Sequence, residues 1–195
     1  AAVPLWGLAN AEASVTVAFA EQSVATKADE EGRWKVELAP MKASVKGRSL
    51  EISSGGERVT IQDVLVGDVW FAGGQSNMDY KVKGMASRLP EGKALAEAAN
   101  YSAIRHRKVS EKSAPRPQAD LTGGSWVVCT PQSVYGFSGV AFVFARRLHV
   151  AARRAGGDHR ALGQPVRNRL LRRGDAAQPQ RAARRVVLLG EREHA

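Results

Sequence analysis

The sequence predicts an α/β domain preceded by a small antiparallel β-sandwich. Three observations carry that expectation. Short segments of alternating polarity, broken by glycine and acidic turns, fill residues 1 to about 62. An apolar run, Val64 to Ala72, then stops at Gly73-Gly74 and passes into Gln75-Ser76-Asn77. Helical patterns and short apolar runs alternate from there to about residue 150.

In the first region Ser14 to Phe19 alternates, placing Val15, Val17 and Phe19 on one face. Trp34, Val36 and Leu38 do the same after the polar Asp29-Glu30-Glu31-Gly32 turn. Leu50 with Ile52, and Val59 with Ile61, flank Gly55-Gly56 and repeat the pattern. Such pairs read as hairpins of two packed antiparallel sheets. Trp6 is expected in the core, with stacking on a sugar ring as the alternative.

After Val64 the predicted elements are a buried strand into Ser76, a loop over Tyr80 to Pro90, and a short helix at about Glu91 to Ala99. A weak strand follows at Ile104 to Val109, then a Pro- and Gly-rich loop over Ser113 to Gly124 and an apolar strand, Trp126 to Cys129. Ser138 is the expected N-cap of a helix Gly139 to His149, with Val140, Phe144 and Leu148 turned to the sheet. The single cysteine, Cys129, excludes an intrachain disulfide and a multi-cysteine metal site. It reads as a buried, inert thiol.

The chain has 195 residues and a net charge of +10. That basicity would ordinarily suggest a nucleic-acid partner. It is unevenly spread: residues 151–195 hold 11 Arg against 4 Asp+Glu, and none of the nine lysines or twelve aromatic residues. Arginine there could pair with phosphates, but the stacking aromatics of sequence-reading modules are missing, so no nucleic acid is expected as a partner. No apolar run is long enough to cross a bilayer as a helix, and no signal peptide is visible.

The Gly73-Gly74-Gln75-Ser76 turn is the chemically suggestive segment. A serine just past a strand, in a glycine turn, exposes its hydroxyl beside backbone N–H groups that can face a developing oxyanion. The same turn also suits an ordinary strand-to-helix loop with Ser76 as a helix cap. Met78 stands where the last glycine of a G-x-S-x-G elbow would be, which argues against a lipase-type hydrolase.

G-D-V-W-F-A-G-G-Q-S-N-M-D-Y, Gly67 to Tyr80, resembles the signature of the sialate O-acetylesterase family, an SGNH-like group of carbohydrate esterases. Further segments resemble the family in order: V-P-L-W-G from Val3, G-R-W-K-V-E-L from Gly32, N-Y-S-A-I-R from Asn100, G-S-W-V-V-C-T-P from Gly124, and G-F-S-G-V-A-F-V-F-A-R-R-L-H from Gly136. The resemblance covers about residues 1–150. It implies an SGNH-hydrolase-like three-layer domain over residues 63–150, here truncated, behind a sandwich at 1–62. It further implies Ser76 as nucleophile, its own N–H as one oxyanion donor, and no metal or other cofactor; Gln75 and Asn77 are expected to shape the turn or position substrate, and Gly139 and Ser138, at an expected helix start, are candidates for a second oxyanion donor, with helix capping as the preferred reading of both. The implied substrate is an O-acetylated sialic acid or related sugar, in a periplasmic or secreted setting. A non-catalytic carbohydrate-binding sandwich is the alternative, and a basic nucleic-acid binder a more distant one. The oligomeric state is not legible.

Two expectations set this chain apart from a complete family member. SGNH-type esterases carry an Asp-x-x-His pair near the C-terminal end of their domain, and this sequence has none. Its histidines are His106, expected exposed; His149, expected at a helix C-terminus that favours its charged form; and His159 and His194 in the arginine-rich tail. Glu191-Arg-Glu-His194 imitates such a pair without its strand and loop context. The tail, 151–195, is expected to be irregular and resembles an out-of-frame translation. Shifted by one nucleotide, Arg153 to Arg160 can encode D-A-P-V-G-I-I-A, close to the strand the family has at this point. The start at Ala1-Ala2-Val3 reads as a fragment edge. An incomplete sheet would leave a strand edge open to association, which Val186 to Leu189 could cover.

Overall fold

The computed structural model describes residues 2–108, 124–154, 161–168 and 189–192. Described residues through Gly67, with a late strand, form one compact unit, and those from Asp68 onward a second.

In the first unit β1 (Val3–Leu8) pairs antiparallel with β4 (Arg33–Leu38). A second antiparallel sheet orders β3 (Gln22–Lys27), β2 (Ser14–Phe19), β5 (Ser44–Ser54) and β6 (Glu57–Val69). Both sheets give to one cluster: Val3, Val36 and Leu38 from the first, Val15, Val17, Phe19, Leu50 and Val64 from the second. The period-2 stripes of β2 and β4 are therefore buried as the sequence predicts. Between β5 and β6, Gly55 and Gly56 both have positive φ (58° and 88°), the backbone of a two-residue type I′ turn.

Two expectations in this unit are corrected. Trp6 is 67% exposed and Leu8 78%, because β1 turns its Val3 face inward and its even positions outward. Val59 is also exposed, since it sits near the free end of the β5–β6 hairpin, beyond the reach of the facing sheet.

The second unit holds a mixed sheet. β10 (Ala161–Asn168) runs parallel to β7 (Ala72–Gly74) and to β8 (Tyr101–Lys108), and β9 (Val127–Cys129) is antiparallel to β8. Helices α1 (Ser76–Asp79), α2 (Val82–Arg88), α3 (Pro90–Glu97) and α4 (Gly139–Arg154) accompany it. Val82, Ala96, Ile104, Cys129, Phe137 and Phe142 lie in its core.

Here the differences from expectation are larger. The apolar run Val64 to Ala72 is not one strand: β6 ends at Val69 and β7 begins at Ala72, with Trp70 turned onto Phe144 at a ring-centroid distance of 5.3 Å. Residues 82–88 are helical where a loop is expected, because Val82 is fully buried and anchors the turn. α4 presents Ala141, Phe142, Ala145 and His149 to the core, while Val140 and Phe144 are 49% and 41% exposed. The predicted stripe is thus turned outward: the bulkier residues tempt the eye, but the alanines let the helix approach closely.

In the tail, α4 continues to Arg154, β10 follows, and β11 (Leu189–Arg192) pairs antiparallel with β6. The expected irregular chain therefore contributes two strands, whose backbones meet open strand edges irrespective of side-chain character. The expected 113–124 loop falls largely outside the described residues, as do Val186 to Leu188, His159 and His194 of the Glu191–His194 sequence.

Candidate active site

Glycine makes the local geometry of Ser76 possible. β7 is a three-residue strand, Ala72-Gly73-Gly74, and α1 begins at Ser76 with Gln75 as its N-cap. Met78 and Asp79 donate their backbone N–H groups to the Gln75 carbonyl at 2.9 and 3.1 Å, and Tyr80 donates to the Ser76 carbonyl at 3.0 Å. Gly74 lies against Met78, so close that an added Cβ would stand 3.1 Å from the Met78 Cβ. Ser76 is thus on the first turn of a short helix, directly beyond the C-terminal end of a parallel strand.

Gln75, Ser76 and Asn77 are all exposed. Among the described residues Ser76 and Asn77 make no hydrogen bond beyond the helical one to the Ser76 carbonyl. Ser76 is therefore not the N-cap; Gln75 occupies that position without a side-chain capping bond. The hydroxyl faces solvent, and the Ser76 and Asn77 N–H groups are of the kind a helix start leaves open.

The Ser76 turn is fastened to the start of α4. Ser138, 5% exposed, accepts the Ala141 N–H at 3.3 Å, confirming it as the cap of α4, and its hydroxyl contacts the Met78 sulfur at 3.3 Å. The Gly139 N–H donates to the Tyr80 carbonyl at 2.8 Å, and the Val82 N–H to the Phe137 carbonyl at 2.8 Å. Gly139 therefore has its donor already engaged, which removes it as the second oxyanion donor. The implied role came from its place at a helix start; the α1–α4 connection claims that N–H instead.

Neither described histidine bonds Ser76. His106 is buried, 7% exposed, on β8, correcting the expectation of exposure: its charged neighbours in sequence alternate away from it or fold back along the strand. Its ring lies 4.1 Å from that of Phe137, and Nε2 is 3.4 Å from the Ser133 hydroxyl. Ser133 in turn donates to the Val128 carbonyl at 2.6 Å. Burial pushes the His106 pKa down to about 4, leaving it neutral near pH 7. His149 is inside α4 rather than at its end, buried against the edge of Tyr101 with centroids 5.6 Å apart, so the expected helix-terminus effect does not apply. Cys129 is 1% exposed and burial pushes its thiol up to about 12, the inert state expected.

A shallow depression lies at the end of α1. Met78, Phe137 and Ser138 line it together with Asp79, Lys81 and Lys108. Lys108 Nζ is 3.9 Å from the Asp79 carboxylate, with both side chains about half exposed. Among the described residues no cluster of His, Cys, Asp or Glu is placed to hold a metal ion, and no helix is long and apolar enough to cross a membrane.

The chain matches no protein-family profile. It is 32% identical over 163 residues to a sialate O-acetylesterase of Rattus norvegicus, covering 74% of this chain and 29% of that protein. The Homo sapiens sialate O-acetylesterase is 29% identical over 164 residues, with 74% and 30% covered. Among solved structures, a carbohydrate acetylesterase from Xanthomonas citri superposes with a TM-score of 0.76 at 32% identity, over 86% of this chain and 36% of that one. The chain thus spans less than a third of the length of the curated relatives it matches. The motif around Ser76, the fold that carries it and these likenesses agree: over about three quarters of its length the chain is related to a part of the sialate O-acetylesterases.

Proposed function

We propose that Ser76 is the nucleophile of a carbohydrate O-acetylesterase that removes acetyl groups from sialic acid or a related sugar, and that this chain carries an incomplete form of that machinery. The supporting observation is the exposed, unbonded Ser76 hydroxyl at the junction of a parallel strand and a helix. In the reaction, Ser76 Oγ adds to the acetyl carbonyl carbon and its proton passes to a base. The tetrahedral oxyanion faces the Ser76 N–H, the sugar oxygen leaves protonated, and water then releases acetate from the acetyl-enzyme. Gln75 and Asn77 flank the nucleophile and would orient substrate. No metal or other cofactor has a part in this scheme.

The base is what the described residues lack, since His106 and His149 are engaged elsewhere. In the same reading, residues 63–150 are the first part of an SGNH-like three-layer domain, residues 1–62 a sandwich preceding it, and 151–195 a segment foreign to the family. Periplasmic or secreted placement follows only from that kinship. Turnover of p-nitrophenyl acetate, whose good leaving group needs no acid, tests the assignment. Slow hydrolysis by this chain that vanishes in Ser76→Ala is expected; equal rates in the two would remove Ser76 from the mechanism.

A second reading has one observation in its favour. Trp6 is 67% exposed, and its cross-strand partner Lys35 forms a 3.6 Å ion pair with Glu37. An aromatic face bordered by polar groups suits a pyranose ring. Under that reading glycan binding survives Ser76→Ala and is lost in Trp6→Ala.

A further inference from the structure

We infer that Ser138 is a positioning residue for Ser76, acting through the Met78 sulfur. The inference deepens the proposed role of Ser76 and rests on it. α1 spans only Ser76–Asp79. A single helical turn is unstable by itself, because its few hydrogen bonds do not offset the cost of nucleation. Its shape must come from whatever holds its side chains and its ends. Gln75 supplies no side-chain capping bond, and no residue of α1 is fully buried. The half-exposed Asp79–Lys108 pair, 3.9 Å apart, adds little.

Two stronger attachments lead from this turn to the start of α4. The first is the Met78 side chain. It runs along Gly74, where an added Cβ would stand 3.1, 3.8 and 3.9 Å from Met78 Cβ, Cγ and Cε. Beyond it, the Ser138 hydroxyl donates to Met78 Sδ at 3.3 Å, engaging the one acceptor that side chain has. The second attachment is Tyr80, whose carbonyl accepts the Gly139 N–H at 2.8 Å and whose ring lies against Gly84. Ser138 and Gly139 are adjacent, so one helix start grips the turn at two points, two residues apart. Ser138 is itself fixed, being 5% exposed and accepting the Ala141 N–H at 3.3 Å. Ser76 stands two residues before Met78, and its carbonyl accepts the Tyr80 N–H at 3.0 Å. A rotation of the turn that released Met78 would therefore swing the Ser76 hydroxyl with it. Ser138 sets the direction of Ser76 Oγ while forming no bond to it.

Two readouts on the full chain test this. One is the rate at which a fluorophosphonate labels Ser76. The other is backbone amide exchange at Met78, Asp79 and Tyr80, whose N–H groups close the turn. Ser138→Ala and Met78→Leu should each slow labelling about fivefold and speed exchange by a similar factor, the effect of losing one hydrogen bond. Met78→Leu leaves the α4 cap and the apolar volume in place, so it reads the sulfur contact without the cap. Both substitutions remove the same contact, so the double variant should label no more slowly than the slower single one. Ser138→Thr keeps the hydroxyl and should retain both rates. Additive losses, roughly 25-fold in the double variant, would show Ser138 to act only as a cap and would overturn the inference. Unchanged rates in Met78→Leu would overturn it too, and with normal Ser76 labelling they would leave the nucleophile standing. No adduct on the unsubstituted chain, with exchange still coupled between Ser138 and Met78, would instead remove Ser76 as nucleophile and uphold the fastening.

Discussion

At His106 a titratable ring lies beneath a phenyl ring instead of in water. Burial holds its pKa at about 4, against 6.5 for the free side chain. The unfolded chain therefore binds a proton that the folded chain refuses between those values. Stability is fully present above pH 6.5 and falls as pH drops toward 4, by about 3 kcal/mol at most for this group. Urea denaturation across pH 4 to 7 should show that slope, and His106→Gln should flatten it. A slope unchanged by the substitution would mean that other groups cause it. This residue was misread from sequence because Arg105, Arg107 and Lys108 surround it, whereas β8 buries four successive positions, Ala103 to His106. A strand covered on both faces gives no alternation to read. The placement of Ser76 in an exposed strand-to-helix turn, by contrast, was legible, because paired glycines before it permit that turn.

At the scale of elements, alternation made β2 and β4 readable, and Gly55-Gly56 fixed the β5–β6 turn. The β2–β3 hairpin shows the limit of that code. Its two-residue loop, Ala20-Glu21, joins the paired residues Phe19 and Gln22, and Ala20 adopts φ of 55°. A non-glycine residue there costs about 1–2 kcal/mol. Ala20→Gly is accordingly expected to raise stability by about 1 kcal/mol, less the extra entropy glycine loses on folding; a lowered denaturation midpoint would contradict it. α4 illustrates the opposite error. Its period was readable but its facing was not, because Ala141 and Ala145 bury a close-approach face while Phe144 serves Trp70 at the rim. Only the tertiary partner decides which of two apolar stripes is inner. α2 went unread because one buried residue, Val82, anchors it without any sustained pattern.

For the whole molecule, the charge of +10 is dominated by a tail that carries none of the aromatic residues. That asymmetry was readable as composition. The pairing of β10 and β11 with earlier strands was not, since backbone hydrogen bonding leaves no mark on side-chain pattern. The kinship was legible because an ordered set of short motifs survives where single motifs would not. The chain nevertheless spans under a third of its curated relatives, and among the described residues no histidine stands against Ser76, the proposed nucleophile. Slow chemistry at a single serine is what such a molecule should show. The most direct measurement is prolonged incubation with a fluorophosphonate, followed by intact-mass and peptide mass spectrometry. One slowly formed adduct, on the peptide containing Ser76 and absent from Ser76→Ala, is the predicted result; no adduct at Ser76, or labelling unchanged in the variant, would contradict the account.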